Sequence, residues 1–216
     1  MRVKSLLPVF LLAGALAALV GVSVMLQRQI NPRGRAPAPE ESVQHRESRE
    51  VKRATLEPGR VVVVKTNRGA FKIALFERDA PITCRNFLSL VGMGFYDKLR
   101  FHRVEDWVIQ TGDPQGTGRG GSGRTIRLER IPGLGFEKPY TVGMARRIED
   151  PDSASSQFFI TKRGAPHLTG AYAAFGRVYE GQQVIDKIKK NDVVETIKIA
   201  LPTEAERRAL REKVRK

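Results

Sequence analysis

A mainly β fold, one antiparallel barrel of about eight short strands with two helices, is what the sequence predicts for most of the chain. Three observations lead there. From residue 60 onward, short β-branched or alternating runs recur between turn residues. Only two stretches before the tail carry helical spacing, and strands and helices do not alternate as βαβ units, which excludes a doubly wound sheet. A charge-free run near the N-terminus stands apart and predicts a transmembrane helix ahead of the barrel.

That run extends from Ser5 to Gln27 without a charged side chain. About 20 apolar residues cross a hydrocarbon core, whereas a secretory signal has an apolar region of about 7–15 residues followed closely by a small-x-small site. Gly21 to Gln29 offers no such site, and Ala36-Pro37-Ala38 lies too far downstream. The expectation is an uncleaved anchor over residues 1–26, with an exported soluble form if the segment is cleaved. Arg2 and Lys4 on one side balance Arg28, Arg33 and Arg35 on the other, so positive charge does not settle orientation. A hydrophobic N-terminal segment usually exports the chain behind it, which places the remainder outside the cytoplasm, in the periplasm or cell envelope. Residues 27–58, with Pro32, Gly34, Pro37, Pro39 and charges of both signs, read as a flexible linker.

Val61–Thr66 is a β-branched strand, Asn67-Arg68-Gly69 a turn, and Ala70–Phe76 the alternating return arm of a hairpin. Ala80-Pro81 opens a helix with Ile82, Phe87, Leu88 and Val91 on one face, ended by Gly92 and Gly94. Strands are expected next over Arg100–Glu105, Trp107–Thr111, Tyr140–Met144, Gln157–Thr161 and Ala174–Tyr179. Gly181–Ile188 is the second helix and Val193–Ala200 the last strand, which bounds the folded domain at 59–200. Residues 201–216 form a basic, frayed helical tail. The glycine-rich run Gly116–Gly123 lacks the Gly-Lys-Ser/Thr ending of a phosphate loop and reads as a flexible loop beside a binding groove.

A net charge of +15 invites a nucleic-acid partner. The charge is diffuse, however: residues 59–200 hold 23 Lys and Arg against 15 Asp and Glu, with no recognisable nucleic-acid module. No specific nucleic acid is expected. Cys84 is the only cysteine, so no internal disulfide can form, and its place in an apolar helix reads as packing.

The chemistry-bearing residues fall into three stretches: Phe101-His102-Arg103-Val104, Trp107-Val108-Ile109-Gln110-Thr111-Gly112-Asp113 and Ser153–Ile160. They offer one arginine, one glutamine and bulky apolar groups on strand-like segments. There is no nucleophile beside a base and no cluster of metal ligands. Such a set suits a reaction that breaks no covalent bond.

With Phe101-His102-Arg103, Gln110-Thr111-Gly112-Asp113-Pro114, Gly143-Met144-Ala145, Ser156–Ile160 and Phe175-Gly176-Arg177-Val178 in this order, the chain resembles a cyclophilin-type peptidyl-prolyl cis-trans isomerase over about Gly59–Ala200. The resemblance implies a closed eight-stranded barrel capped by two helices, a site on an outer face, no cofactor and no metal. It implies that Arg103 is catalytic: its guanidinium would donate to the prolyl nitrogen as the X–Pro bond twists and amide resonance is lost. Gln110 would hold the substrate backbone and Gln157 would support the arginine. Trp107, Val108, Phe159 and Leu168 would line the proline pocket, and Ala145 would let the peptide lie close. His102 reads as structural. Trp107 and Val108 stand where the best-known cyclophilins have phenylalanine and methionine, His167 where they have tryptophan, and Tyr172 where they have histidine. The last two changes resemble bacterial members, and loss of the indole at His167 implies weak cyclosporin binding at most. The expected partners are proline-containing polypeptides and, through the N-terminal segment, a membrane. The expected function is prolyl isomerisation that assists folding outside the cytoplasm. The alternative is a low-turnover module that binds or scaffolds proline-containing segments.

Overall fold

Val61, Val62 and Val64 are buried, and their run forms β1 (Val61–Thr66). The turn at Asn67-Arg68 returns the chain as β2 (Gly69–Leu75), in a register from Val61 opposite Ala74 to Thr66 opposite Gly69. The computed structural model describes residues 54–215, so the predicted anchor and most of the predicted linker lie outside the described residues. Among the described residues no helix is long and apolar enough to cross a membrane.

The remaining strands are β3 (Arg103–Val104), β4 (Val108–Thr111), β5 (Thr141–Met144), β6 (Phe158–Thr161), β7 (Ala173–Glu180) and β8 (Val194–Ala200). All eight join one antiparallel sheet in the order β3-β4-β6-β5-β7-β2-β1-β8. The predicted closed barrel needs a correction. β3 is only two residues long and forms no ladder with β8, so the strands make a half-barrel. Loop backbone bridges the gap instead: Lys98 N–H donates to the Val194 carbonyl (2.7 Å), Phe101 N–H to Asp192 (2.9 Å) and Val194 N–H to Leu99 (2.8 Å).

Alternation along the strands divides the apolar residues between two clusters, because successive side chains leave opposite faces of a sheet. Ile73, Ile109, Phe158 and Phe175 enter the main core with Phe87 and Tyr96; their neighbours Ala74, Val108, Phe159 and Ala174 enter a second, outer cluster. Helix α1 (Pro81–Gly92) covers the main core, and its Phe87 ring lies 5.2–5.3 Å from Tyr96, Phe158 and Phe175. Its first turn is capped from a distance: the Glu129 carboxylate accepts from Ile82 N–H (3.0 Å) and Thr83 N–H (2.7 Å). Cys84 is buried in this helix, and desolvation pushes its thiol far above the ordinary range. A thiol held protonated is no nucleophile. Helix α2 (Gln182–Lys187) adds Val184 and Ile185.

The tail is not frayed. Helix α3 (Glu204–Arg215) begins with a capping box: Glu206 N–H donates to Thr203 Oγ1, and Thr203 N–H to the Glu206 carboxylate (2.7 Å). Leu210 and Val214 are buried in the outer cluster, and Arg177 Nη1 donates to the Val214 carbonyl. Residues 54–58, read as the end of the linker, pack there too. Thr55 and Leu56 N–H groups donate to the Asp79 carboxylate (both 2.9 Å), and Glu57 pairs with Arg211 of α3 (2.8 Å).

Candidate functional site

Register brings the site residues together. Arg103 on β3 lies opposite Gln110 on β4, Gln110 opposite Phe159 on β6, and Phe159 opposite Gly143 on β5. Four neighbouring strands thus present a cation, an amide, an aromatic ring and a bare backbone in one row on the outer face. Gly143 has no side chain for a packing reason: a Cβ there would stand 2.4 Å from Phe159 Cζ and 2.6 Å from Phe136 Cζ. Its absence lets those rings stack at 5.4 Å.

Arg103 is half exposed and oriented by a carboxylate that the sequence reading missed. Its Nε donates to Glu105 Oε1 (2.7 Å), while Trp107 Nε1 donates to Glu105 Oε2 (2.9 Å). The guanidinium also lies over the Trp107 ring, 5.3 Å from its centroid. The hydrogen bond from Arg103 holds the Glu105 carboxyl below the usual carboxylate range, so it stays ionised. Arg103 Nη1 reaches to 3.5 Å from Gln110 Oε1, a weak contact. With Nε occupied, the terminal nitrogens remain to meet a ligand.

Gln157 makes no direct hydrogen bond to Arg103 and reaches the arginine's neighbour Gln110 instead. Its Oε1 accepts from Gln110 Nε2 (2.7 Å), and its Nε2 donates to the carbonyls of Gly118 (3.0 Å) and Gly120 (2.8 Å). The support is a relay from the glycine-rich loop through Gln157 to Gln110. That loop is built rather than loose: the Asp113 carboxylate accepts from Gln115 N–H (2.8 Å), Thr117 N–H (2.9 Å) and Gly118 N–H (2.6 Å). Burial would raise the Asp113 carboxyl, but these donors outweigh it and hold it below its ordinary value. Gly112 is obligatory before it, because its φ is +93° and a Cβ would come within 2.4 Å of the Ser156 carbonyl.

The apolar part of the site is the outer cluster. Phe159 and Leu168 are buried, Val108 fully so, and Trp107, Ala145 and Tyr172 pack against them as partly buried groups. Val108 is therefore floor rather than pocket wall. Tyr172 meets Phe159 edge-on at 5.5 Å, and Leu168 ends a 3-10 turn over Pro166–Leu168. His167 is exposed at the rim, 5.8 Å from Trp107 edge to face. His102 is partly buried with neither ring nitrogen in a well-formed hydrogen bond, and desolvation lowers its pKa against the opposing pull of Asp113 and Gln157, which favours neutral imidazole. Phe136 was not foreseen, since it comes from an irregular segment with no periodic signal. Glu105 was legible: two residues from both Arg103 and Trp107, it shares their face of an extended chain.

A guanidinium fixed beside an aromatic floor is equipped to grip and polarise a peptide bond preceding a small apolar ring. Residues 61–207 match the family described as cyclophilin type peptidyl-prolyl cis-trans isomerase/CLD, and the chain belongs to that family of isomerases. It is 38% identical over 151 residues to a peptidyl-prolyl cis-trans isomerase of Helicobacter pylori, spanning 68% of this chain and 91% of the relative. It is 42% identical over 131 residues to peptidyl-prolyl cis-trans isomerase-like 1 of Aspergillus fumigatus, spanning 59% and 80%. A crystal structure of a Cryptosporidium parvum cyclophilin type isomerase superposes with a TM-score of 0.63 at 32% identity, covering 67% of this chain and 99% of that one. A structure of that protein in the presence of the dipeptide Ala-Pro gives 0.62 at the same identity, covering 66% and 99%. Bacterial and fungal relatives match comparably, so the bacterial subtype suggested by His167 and Tyr172 is not singled out.

Proposed function

We propose that this isomerase accelerates rotation about X–Pro bonds in unfolded or flexible polypeptides, with Arg103 as the catalytic group. The observation that carries the reading is the Glu105 carboxylate, which occupies Arg103 Nε and leaves the terminal nitrogens with no partner stronger than the 3.5 Å contact to Gln110. In the planar ground states the prolyl nitrogen's lone pair is delocalised into the carbonyl. At the twisted state it is localised and accepts a hydrogen bond. A donor already in place binds that state better than either planar one, which lowers the barrier of about 18–20 kcal/mol. Gln110, held by Gln157, steadies the substrate backbone. Trp107, Phe159, Leu168 and Tyr172 receive the proline ring above the Val108 floor, His167 stands at the rim, and Ala145 allows close passage of the chain. His102 needs no proton-transfer role, since rotation moves no proton. With His167 in place of an indole, cyclosporin binds weakly at most.

A protease-coupled isomerase assay on the full-length chain and on Arg103→Ala tests this reading. Turnover that survives the substitution overturns it, and absence of turnover in the parent leaves a proline-binding module.

The physiological setting in this proposal is protein folding outside the cytoplasm, from a membrane anchor. Uncatalysed prolyl isomerisation takes tens of seconds and can limit folding. What supports the setting is the charge-free segment from Ser5 to Gln27. The full chain should pellet with membranes and stay there in 1 M salt, where charge reaches only about 3 Å. Release by salt overturns the anchor, and protection from external protease in spheroplasts reverses the orientation.

A further inference from the structure

Gln110, Gln157 and Ala145 have a second role: they also line a groove of ≈ 630 Å³, shared with the glycine-rich loop and the segment after β5. Among its described lining residues are three arginines, Arg119, Arg146 and Arg147, and no carboxylate. Arg146 is locked in place. Its Nε donates to the Ala171 carbonyl (2.7 Å), its Nη1 to the carbonyls of Arg147 (2.6 Å) and Ile148 (2.9 Å), and its guanidinium lies 5.0 Å from the Tyr172 centroid. All these partners are neutral, so its charge stays uncompensated. Arg147 pairs with Asp150 (2.7 Å) and more loosely with Glu149 (3.7 Å), in a setting where its side chain is 64% exposed. Exposed pairs of this kind contribute only about 0.2–1 kcal/mol, a small cost for an incoming anion to offset. Arg119 uses its backbone N–H locally, on Thr117 Oγ1, and its guanidinium meets no carboxylate among the described residues.

The groove thus adjoins the catalytic row and concentrates positive charge where a substrate would continue past Gln110. Each residue of an extended peptide advances about 3.3–3.6 Å, so a side chain one or two positions from the proline can enter while the proline sits on Phe159. We propose that this groove selects substrates carrying an anionic side chain, a carboxylate or a phosphate, close to the isomerised X–Pro bond. The inference rests on the prolyl isomerase reading and names the substrate class of that site.

The test uses the full-length chain and peptides sharing one X–Pro bond, with Glu, phosphoserine, Gln or Lys placed in turn at the two positions on either side. Both kcat/KM and Kd, the latter from NMR titration, are read at low salt and in 0.5 M NaCl, about where screening shortens to a few ångströms. At one position Glu should exceed Gln by roughly three- to tenfold in kcat/KM, with Lys below Gln, and salt should compress the spread. The double variant Arg119→Glu, Arg147→Glu should turn the preference toward Lys. The salt series on the unaltered protein answers the question even where that variant does not fold. Phosphoserine outranking Glu assigns phosphate as the better ligand, and Glu equal or superior assigns the carboxylate. Equal values for Glu, Gln and Lys overturn the inference and leave the isomerase reading intact. Charge-dependent Kd without turnover on any peptide does the reverse.

Discussion

Replacing Arg103, and separately the carboxylate that orients it, should give losses of very different size. Arg103→Ala removes the donor and its charge while the Phe159, Val108 and Leu168 floor stays packed. Loss of one preorganised donor to a developing charge costs about 2.7–4 kcal/mol, or about 100- to 1,000-fold in kcat, with little change in peptide affinity. Arg103→Lys keeps the charge but loses the planar fork that reaches Glu105 and a ligand together, so its rate should fall between alanine and the parent. Glu105→Gln acts only through the arginine. The pair is 2.7 Å long, but both side chains are more than two-fifths exposed. Such pairs are worth about 0.2–1 kcal/mol, which bounds the expected loss at roughly five-fold. The new amide would also set an N–H donor against either Arg103 Nε or Trp107 Nε1, since the carboxylate accepts from both. A protease-coupled assay at several peptide concentrations separates kcat from KM. Equal damage from Arg103→Ala and Glu105→Gln would refute the reasoning, because the carboxylate would then be acting on substrate itself.

Other parts of the fold lead to three further outcomes. Leu210→Ala should destabilise the domain by about 2–4 kcal/mol, because the side chain is 3% exposed in the outer cluster; thermal unfolding should show Tm lowered by about 5–15 °C, and an unchanged Tm would detach α3 from the fold. Gly143→Ala should raise KM and cost about 1–3 kcal/mol in stability, since the added Cβ meets the Phe159 and Phe136 rings; a peptide KM equal to the parent's would show that the floor yields freely. Stability should fall as pH drops below about 6.5, because burial lowers the His102 pKa and the unfolded chain therefore binds that proton more tightly. It is fully retained above that pH and lost toward the folded value. Urea midpoints at pH 7 and pH 5 should show this slope in the parent and not in His102→Asn.

Much of the molecule was legible in the chain because it depends on local pattern. The β-branched run at Val61–Thr66, the Asn67-Arg68-Gly69 turn and the period-2 runs around Ile109, Phe158 and Phe175 favour strands on local grounds alone. Arg103, Gln110 and Phe159 could be nominated because each sits in a short motif of distinctive residue types. Helix α3 was underestimated although its signals were present: Thr203 and Glu206 have capping-box spacing, and Leu210 and Val214 are four residues apart.

Other features have causes far away in sequence, and only folding could decide them. Alternation says that Phe158 and Phe159 face opposite sides, but not that both sides are apolar; the second cluster exists because Phe136, Leu168, Leu210, Ala54 and Leu56 cover it from separate segments. Closure depended on the length of β3, which is too short to pair with β8, so backbone at 98–101 and 191–194 takes its place. The route by which Gln157 steadies Gln110 required the loop around Asp113 to lie against β6. The charge of the groove arose in the same way, from Arg119 on one loop and Arg146 and Arg147 on another. Local pattern selects elements within a few residues of itself. Hydrogen bonds and charge fields between distant segments exist only after the sheet has brought them within a few ångströms.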